Sequence, residues 1–429
     1  MMGSKAVKKN IWIFNHYGCT PCTGRLLRHY YFGKNLIQRN REVTVFSSNQ
    51  LHYLGKTFDT EGKLYKEKSD EGVPFVFINT PKYFDNGLKR VINMVSYMMK
   101  LFIVTKEYAE SHKSKPDVII ASSPQPLTCI SGIFIARRYK VPCIIEIRDL
   151  WPESLIEYGK LKKGSMLANL LYKGEKWIYK KADKIIFTFE GGKDYIKERG
   201  WENKIPLEKV FYINNGINLQ EFNEQSKTFS ITDPDLDNEK TFKVVYCGSI
   251  RQVNNVGAII DVAEELRKNE SGKEIRFLIW GSGTEEEELK GLVNERNLAN
   301  IVFKGQIEKK YIPYILSKSN LNLMHGRLTG LLRFGCSPNK LFDYFAAGKP
   351  ILSDIPSNYD LIKKYNCGIV IDDGTVQNLA DAIVKVVRLD EKSYGEMCGN
   401  AKRAAGDYDF KKLTDKLIKV IESGECKLS

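Results

Sequence analysis

Short runs of β-branched and aromatic residues alternate along the chain with longer segments whose apolar positions recur every three or four residues. The first series of such runs predicts strands near 10–15, 43–47, 74–79, 117–121, 143–147, 184–189 and 209–213. A second series falls near 242–247, 275–280, 301–303, 320–324, 350–353 and 368–371. Several runs are apolar without a break, Val118-Ile119-Ile120 and Phe277-Leu278-Ile279 among them. Such runs predict strands buried on both faces of a parallel sheet. Strand–helix alternation then gives an α/β protein of doubly wound, Rossmann-like units. The pattern restarts at Lys243, after the polar stretch from Glu221 to Lys240. This predicts an N-terminal domain over 8–216, a linker over 217–240 and a second domain over 241–400. A C-terminal helix over 401–429 is expected to pack back on the first domain. Two α/β domains facing each other offer a cleft as the natural binding site.

The most informative stretch runs Ser337-Pro338-Asn339-Lys340-Leu341-Phe342-Asp343-Tyr344-Phe345-Ala346-Ala347-Gly348-Lys349-Pro350. Ser337 suits a helix N-cap and Pro338 the first helical position. The opening turn offers free backbone N–H groups and the positive end of the helix dipole, which suit a phosphate. Asn339 and Lys340 add a donor and a cation, and Asp343, one turn on, can accept bonds from sugar hydroxyls. Gly348-Lys349-Pro350 ends the helix. Two readings stand side by side: an ordinary capped amphipathic helix, or a cradle for a nucleotide sugar.

Composition narrows the class. At 429 residues, 42% hydrophobic and 28% charged, the chain reads as a two-domain globular protein. No apolar run reaches the roughly 18–20 residues of a membrane-spanning helix, and the N-terminus reads as a strand rather than a signal peptide. Nine scattered cysteines fit a reducing cytoplasm better than a disulfide framework. Cys19 and Cys22 form a lone CxxC without a thioredoxin-like context or the second pair a zinc site wants. The net charge of +14 favours an anionic partner. No nucleic-acid motif accompanies it. Instead, between Gly164 and Lys184 lysines interleave with Leu167, Leu170, Leu171, Trp177 and Ile178. That segment is either a basic amphipathic helix for an anionic membrane surface or a helix packed on the sheet with its lysines in solvent. Gly87 to Lys100 carries a similar basic and apolar mixture.

Further candidates sit at strand ends. The turn after the first strand leads to Gly24 and Arg25, with Arg28 and His29 just beyond; these cations are candidates for a phosphate, though the spacing is not GxGxxG. Arg148 and Asp149 follow the strand at 143–147, on the ligand-binding edge of such folds; Asp149 is a candidate base or acceptor-binding group. Gly248 and Arg251 follow the first strand of the second domain, and Gly281-Ser282-Gly283 follows the next. Asp233 and Asp235 have the DxD spacing of a metal site but lie in the polar linker.

The strings RDLWPES (148–154), INNGINLQEF (213–222), VVYCGSI (244–250), LIWGSG (278–283), FKGQI (303–307) and SPNKLFDYFAAGKPIL (337–352) occur in an order that resembles glycosyltransferase family 4 over nearly the whole chain. The first and last strings are similar to the branch that includes bacterial fucosamine transferases of capsule and O-antigen synthesis. The resemblance implies the GT-B fold and a retaining transfer without metal or other cofactor. The donor would be a UDP-sugar, the acceptor a polyprenyl diphosphate-linked saccharide, and the place the inner face of the cytoplasmic membrane. It implies that the first domain holds the acceptor and the second the donor. The backbone about Gly305-Gln306-Ile307 would hold uracil, and Asp343 the ribose. Ser337, Asn339, Lys340, Arg251 and the Gly24 loop would lie about the diphosphate. Arg148 and Asp149 fall where many relatives carry a histidine near the sugar. Asp343 stands in for a glutamate, and Gly335 occupies the position eight before it where the family carries another. Alternatives are a UDP-sugar 2-epimerase of the same architecture, and a non-catalytic nucleotide-sugar-binding or membrane scaffold protein.

Overall fold

The computed structural model describes residues 8–24, 26–51, 56–84, 87–123, 125–268 and 274–423. The chain divides into two compact units, residues 1–214 with 410–429, and residues 215–409.

In the first unit the strands are β1 (Asn10–Asn15), β2 (Glu42–Ser48), β3 (Gln50–Leu51), β4 (Lys56–Thr57), β5 (Tyr65–Asp70), β6 (Val73–Ile78), β7 (Val118–Ser122), β8 (Cys143–Ile147), β9 (Lys184–Phe187) and β10 (Val210–Tyr212). Eight of them form one sheet in the order β10-β9-β8-β7-β1-β2-β6-β5, while β3 and β4 make a small ribbon. Its helices are α1 (Arg28–Gln38), α2 (Leu88–Ser111), α3 (Pro126–Tyr139), α4 (Glu153–Glu157), α5 (Met166–Lys181) and α6 (Gly192–Glu198). Strands β1, β7, β8 and β9 are buried at every position, as their unbroken apolar runs predict. β5 departs from the parallel expectation: it pairs antiparallel with β6. Its sequence, Tyr-Lys-Glu-Lys-Ser-Asp, is polar because only one edge of it is paired and its face is largely open.

The second unit begins with α7 (Leu219–Thr228) and α8 (Pro234–Asp237), so the segment 217–240 expected as a linker is folded structure of this unit. Its sheet strands are β11 (Thr241–Cys247), β12 (Glu274–Trp280), β13 (Ile301–Gly305), β14 (Leu321–Met324), β15 (Ile351–Ser353) and β16 (Gly368–Val370). Between and after them come α9 (Gly257–Glu265), α10 (Glu286–Glu295), α11 (Ile312–Lys318), α12 (Asn339–Ala347), α13 (Leu361–Tyr365), α14 (Val376–Val387) and α15 (Glu391–Asp407). The order β13-β12-β11-β14-β15-β16 is parallel throughout. The chain runs outward from β11 to β13, then returns to β14 on the other side of β11. That reversal makes the C-terminal ends of β11 and β14 a topological switch point, where a crevice opens in this architecture. The expected tail helix over 401–429 is two helices divided between the units. α15 stays in the second; α16 (Phe410–Glu422) belongs to the first and packs on α1, with Phe410 stacked on Tyr31 and Arg39 paired with Asp415 at 2.7 Å. Among the described residues no helix is long and apolar enough to cross a membrane.

Candidate nucleotide-sugar site

The candidates in the second unit fall along one edge of its sheet. Gln306 and Ile307 follow β13, Gly281 to Gly283 follow β12, Gly248 to Arg251 follow β11, and α12 begins beside the junction of β11 and β14. Loop-to-loop bonds lock these strand ends together: Gly281 N–H donates to Gly305 O at 2.9 Å, Gly248 N–H to Trp280 O at 3.0 Å, and Ile250 N–H to Ser282 O at 3.0 Å. A Cβ at Gly281 would overlap the Gly248 carbonyl, and one at Gly283 the Ile250 carbonyl. These two glycines therefore answer first to the packing of one loop on the next, rather than to approach by a ligand. Ser282 Oγ also reaches Gln306 Oε1 at 3.1 Å, and Gln306 and Arg251 are exposed on this edge.

α12 starts one residue later than its sequence suggests. Pro338 is the flanking residue, in extended conformation and with no side-chain cap. The Ser337 hydroxyl accepts from Asn215 N–H at 2.9 Å, and its carbonyl accepts from Asn215 Nδ2 at 2.6 Å. Ser337 thus anchors the approach to the helix instead of capping it, which leaves the first-turn N–H groups of Asn339 and Lys340 uncapped by a side chain. Asn339 is exposed. At the far end Gly348, left-handed at φ 63°, stops the helix as expected.

Lys340 is the centre of the arrangement. Its ammonium donates to His325 O at 3.1 Å and lies 4.5 Å from the centre of the Tyr246 ring. His325 follows β14 and Tyr246 is the next-to-last residue of β11, so Lys340 spans the switch point. Although the residue is only half-buried by surface area, desolvation pushes its ammonium down to about 8 against the upward pull of Asp354. Desolvation also raises the carboxyl of Asp343, opposed by Lys309.

Sequence reasoning passed over His325 and Asp354. His325 Nε2 donates to Asn255 O at 2.7 Å. Nδ1 approaches Asp354 Oδ2 to 2.5 Å, but outside hydrogen-bonding angles, and Asp354 Oδ1 has no hydrogen-bond partner among the described residues. Both side chains are buried, and the Asp354 charge acts on Lys340. Each directly follows a buried parallel strand, the same signal that singled out Asp149.

The remaining candidates belong to the first unit. Gly24 closes a turn after β1 through its N–H to Thr20 O at 3.0 Å, and a Cβ there would lie 2.5 Å from Cys19 Sγ. Arg25 lies outside the described residues. Arg28 and His29 are not free for phosphate: both are buried against Glu146. Arg28 pairs with Glu146 at 2.7 Å and donates to the carbonyls of Ile213 and Asn214, and His29 Nε2 meets Glu146 Oε2 at 2.9 Å. Burial opposes the Glu146 charge, but its partners outweigh that and hold the carboxyl well below the usual range. His29 is pushed down by burial and takes an Asn15 bond at Nδ1. A neutral ring donating from Nε2 satisfies both contacts, so Arg28 is the cation that balances Glu146. Arg148 and Asp149 follow β8. Asp149 is exposed at the surface, yet burial of its surroundings raises its carboxyl, with Arg148 and Arg90 opposing.

Two weaker motifs are resolved by their neighbours. Lys304 bridges Asp233 and Asp235 at 2.7 and 2.6 Å, and Arg276 pairs with Asp235 at 2.6 Å, so the DxD carboxylates are held by cations. Cys19 and Cys22 are not joined in a disulfide. The Cys22 thiol is raised, first by its hydrogen bond to Asp70 and by that carboxylate's charge. A redox cysteine needs the opposite shift.

Residues 29–221 match the family model for Glycosyltransferase Family 4, and residues 230–404 that for Glycosyl transferases group 1. Among curated proteins the chain is similar to a probable glycosyltransferase, WbjE, of Pseudomonas aeruginosa, at 22% identity over 278 residues. That match spans 64% of this chain and 64% of the relative's length. Among solved structures it resembles sucrose-phosphate synthase from Thermosynechococcus elongatus (TM-score 0.69, 14% identity, 96% of this chain and 98% of that one). It also resembles WaaG, a glycosyltransferase involved in lipopolysaccharide biosynthesis (0.63, 14%, 96% and 100%), and Anabaena HepE in complex with UDP and glucose (0.63, 12%, 96% and 99%). The fold is GT-B, and the chain carries a glycosyltransferase family 4-like domain followed by a glycosyl transferases group 1 domain.

Proposed function

We propose that this chain is a retaining glycosyltransferase that moves a sugar from a UDP-sugar to a lipid-linked saccharide in bacterial surface polysaccharide synthesis, working at the inner face of the membrane. The single observation that carries the reading is Lys340 on the first turn of α12, held at the switch point of the second sheet by His325 O and the Tyr246 ring. A cation and uncapped helix N–H groups at that point suit the diphosphate of a donor. HepE, a structural neighbour, was solved with UDP and with UDP-glucose, and WaaG acts in lipopolysaccharide biosynthesis.

In this reading Asn339, Lys340 and Arg251 bind the diphosphate, Asp343 takes the ribose hydroxyls, and the backbone at Gln306-Ile307 faces uracil. As the glycosidic bond breaks, UDP gains negative charge, and Lys340 with the α12 dipole stabilises it where it develops. The acceptor hydroxyl attacks from the face that the leaving phosphate vacates, and that phosphate takes its proton. Arg148 and Asp149 contact the acceptor side. We assign the transferred group as an N-acetylated amino sugar such as N-acetylfucosamine. The exposed apolar positions of α2, namely Leu88, Val91, Ile92, Val95, Met99 and Ile103, with Lys89 and Lys100 on the same helix, support docking to an anionic lipid surface.

The test supplies a UDP-N-acetylhexosamine with and without a lipid-linked saccharide and follows both anomeric configuration and sugar identity by NMR. Transfer with retention is expected, and no change in the donor without acceptor. Rapid epimerisation at C2 without acceptor would contradict the reading.

A further inference from the structure

Within the first unit, between α3 and α5, lies a cavity of about 260 Å³. Its wall is almost wholly apolar, built from Leu127 and Ile130 on α3, Leu171, Gly174 and Ile178 on α5, and Trp151 after β8. Apart from Asp149 at the mouth, the polar groups in the wall are already engaged. Ser123 Oγ accepts the Arg148 N–H at 2.9 Å. Glu175 takes the Tyr179 hydroxyl at 2.8 Å and the Tyr195 hydroxyl at 2.7 Å, one on each oxygen, and burial raises its carboxyl to about 8. Water would find few partners here, and cavities of this kind favour apolar guests. A dry cavity of about 150 Å³ holds one benzene ring, so this one has room for roughly ten carbons.

Two further observations define the guest. A Cβ at Gly174 would meet nothing within 4 Å, so the α5 backbone itself faces open space. Asp149 and Leu170 line the cavity and are exposed, so it reaches the surface. Arg148 precedes Asp149 in the chain and its backbone N–H donates to Ser123 of the wall at 2.9 Å; its guanidinium makes no hydrogen bond or ion pair among the described residues. Next to Leu170 on α5, Met166 and Leu167 are 91% and 56% exposed. An apolar hollow whose mouth residue Asp149 has Arg148 beside it in the chain fits an amphiphile with an anionic phosphate head and a hydrocarbon tail.

We propose that this cavity seats the phosphate-proximal end of the acceptor lipid's hydrocarbon chain, with the lipid phosphate at Arg148. The inference rests on the lipid-linked acceptor of the proposed function and assigns its tail a place in the first unit.

The experiment titrates the full chain with geranyl phosphate, a ten-carbon isoprenoid, and with inorganic phosphate, following binding by calorimetry. Saturable one-site binding of geranyl phosphate is expected, with none by inorganic phosphate at the same concentration. Gly174→Leu fills the hollow from the helix side and should weaken geranyl phosphate binding at least tenfold, with Gly174→Ala intermediate. Removing a mid-helix glycine favours the helix, so Tm is expected to hold or rise. Should the leucine variant fail to fold, the alanine variant decides. Equal binding by folded variants and wild type, or no binding by wild type, overturns the inference. If that happens while sugar transfer to a lipid-linked saccharide proceeds, only the cavity assignment falls. Geranyl phosphate binding without any transfer sinks the acceptor reading instead.

Discussion

Lys340 shows how position turns a common side chain into a specific one. An ordinary lysine ammonium stays charged to about pH 10; desolvation brings this one to about 8. The charge is therefore present below about pH 8 and lost as pH rises through it. A diphosphate binds the charged form, so UDP affinity should fall between pH 7 and 9. Lys340→Ala should bind UDP roughly 10- to 100-fold more weakly at pH 7, from the loss of a charge-assisted bond of about 1.5–3 kcal/mol, and its affinity should be nearly flat over the same range. Calorimetric titrations at three pH values read both effects. The position of Lys340 was evident from the sequence because the helix-opening pattern is local. The role of Ser337 was not, since its hydroxyl serves Asn215, a residue 122 positions away in sequence. Arg28 and His29 misled for the same reason: Glu146, which holds them, lies 118 and 117 positions on. Long-range pairing of buried charge leaves no local trace.

At the scale of elements, the apolar runs located every strand of the two sheets except β5, whose polar edge sequence carries no strand signal. The segment 217–240 read as a linker because α7 and α8 bury little: Phe222 and Leu236 are their buried residues. Charge pairs compensate, as where Lys304 holds both α8 carboxylates. α2 presents the opposite case, an element apolar on two faces. One face packs through Met94, Tyr97, Leu101 and Val104, while the other leaves Val91, Val95, Met99 and Ile103 in solvent. Val95→Asp with Met99→Glu should leave Tm within about 1–2 °C, since exposed substitutions cost little. The pair should lower cosedimentation with phosphatidylglycerol vesicles at least tenfold, because each apolar side chain removed from the lipid boundary forfeits about 1.5–3 kcal/mol. Unchanged cosedimentation would remove α2 from the membrane reading.

Over the whole molecule, stability should carry the mark of Glu175. Its folded carboxyl is raised from an ordinary 4.5 to about 8, so between those values the folded chain holds a proton that the unfolded chain releases. Sign follows directly: this group costs stability progressively as pH rises from about 4.5 to 8. Glu175→Gln keeps the shape without the charge. It should raise Tm at pH 8.5 and converge with wild type near pH 4.5, at roughly 2–4 °C per kcal/mol for units of this size. Thermal melts across that range test it. A net charge of +14, a sheet edge built about Lys340 and an apolar helix face all suit the proposed phosphorylated donor used beside an anionic membrane. The claim on which the rest depends is that the second unit binds UDP through Lys340. A thermal-shift screen of UDP-, GDP- and dTDP-sugars on wild type and Lys340→Ala addresses it most directly. UDP compounds should raise the wild-type Tm more than the others do, and should raise that of Lys340→Ala far less; no shift with any UDP compound, or an equal shift in both proteins, would contradict the account.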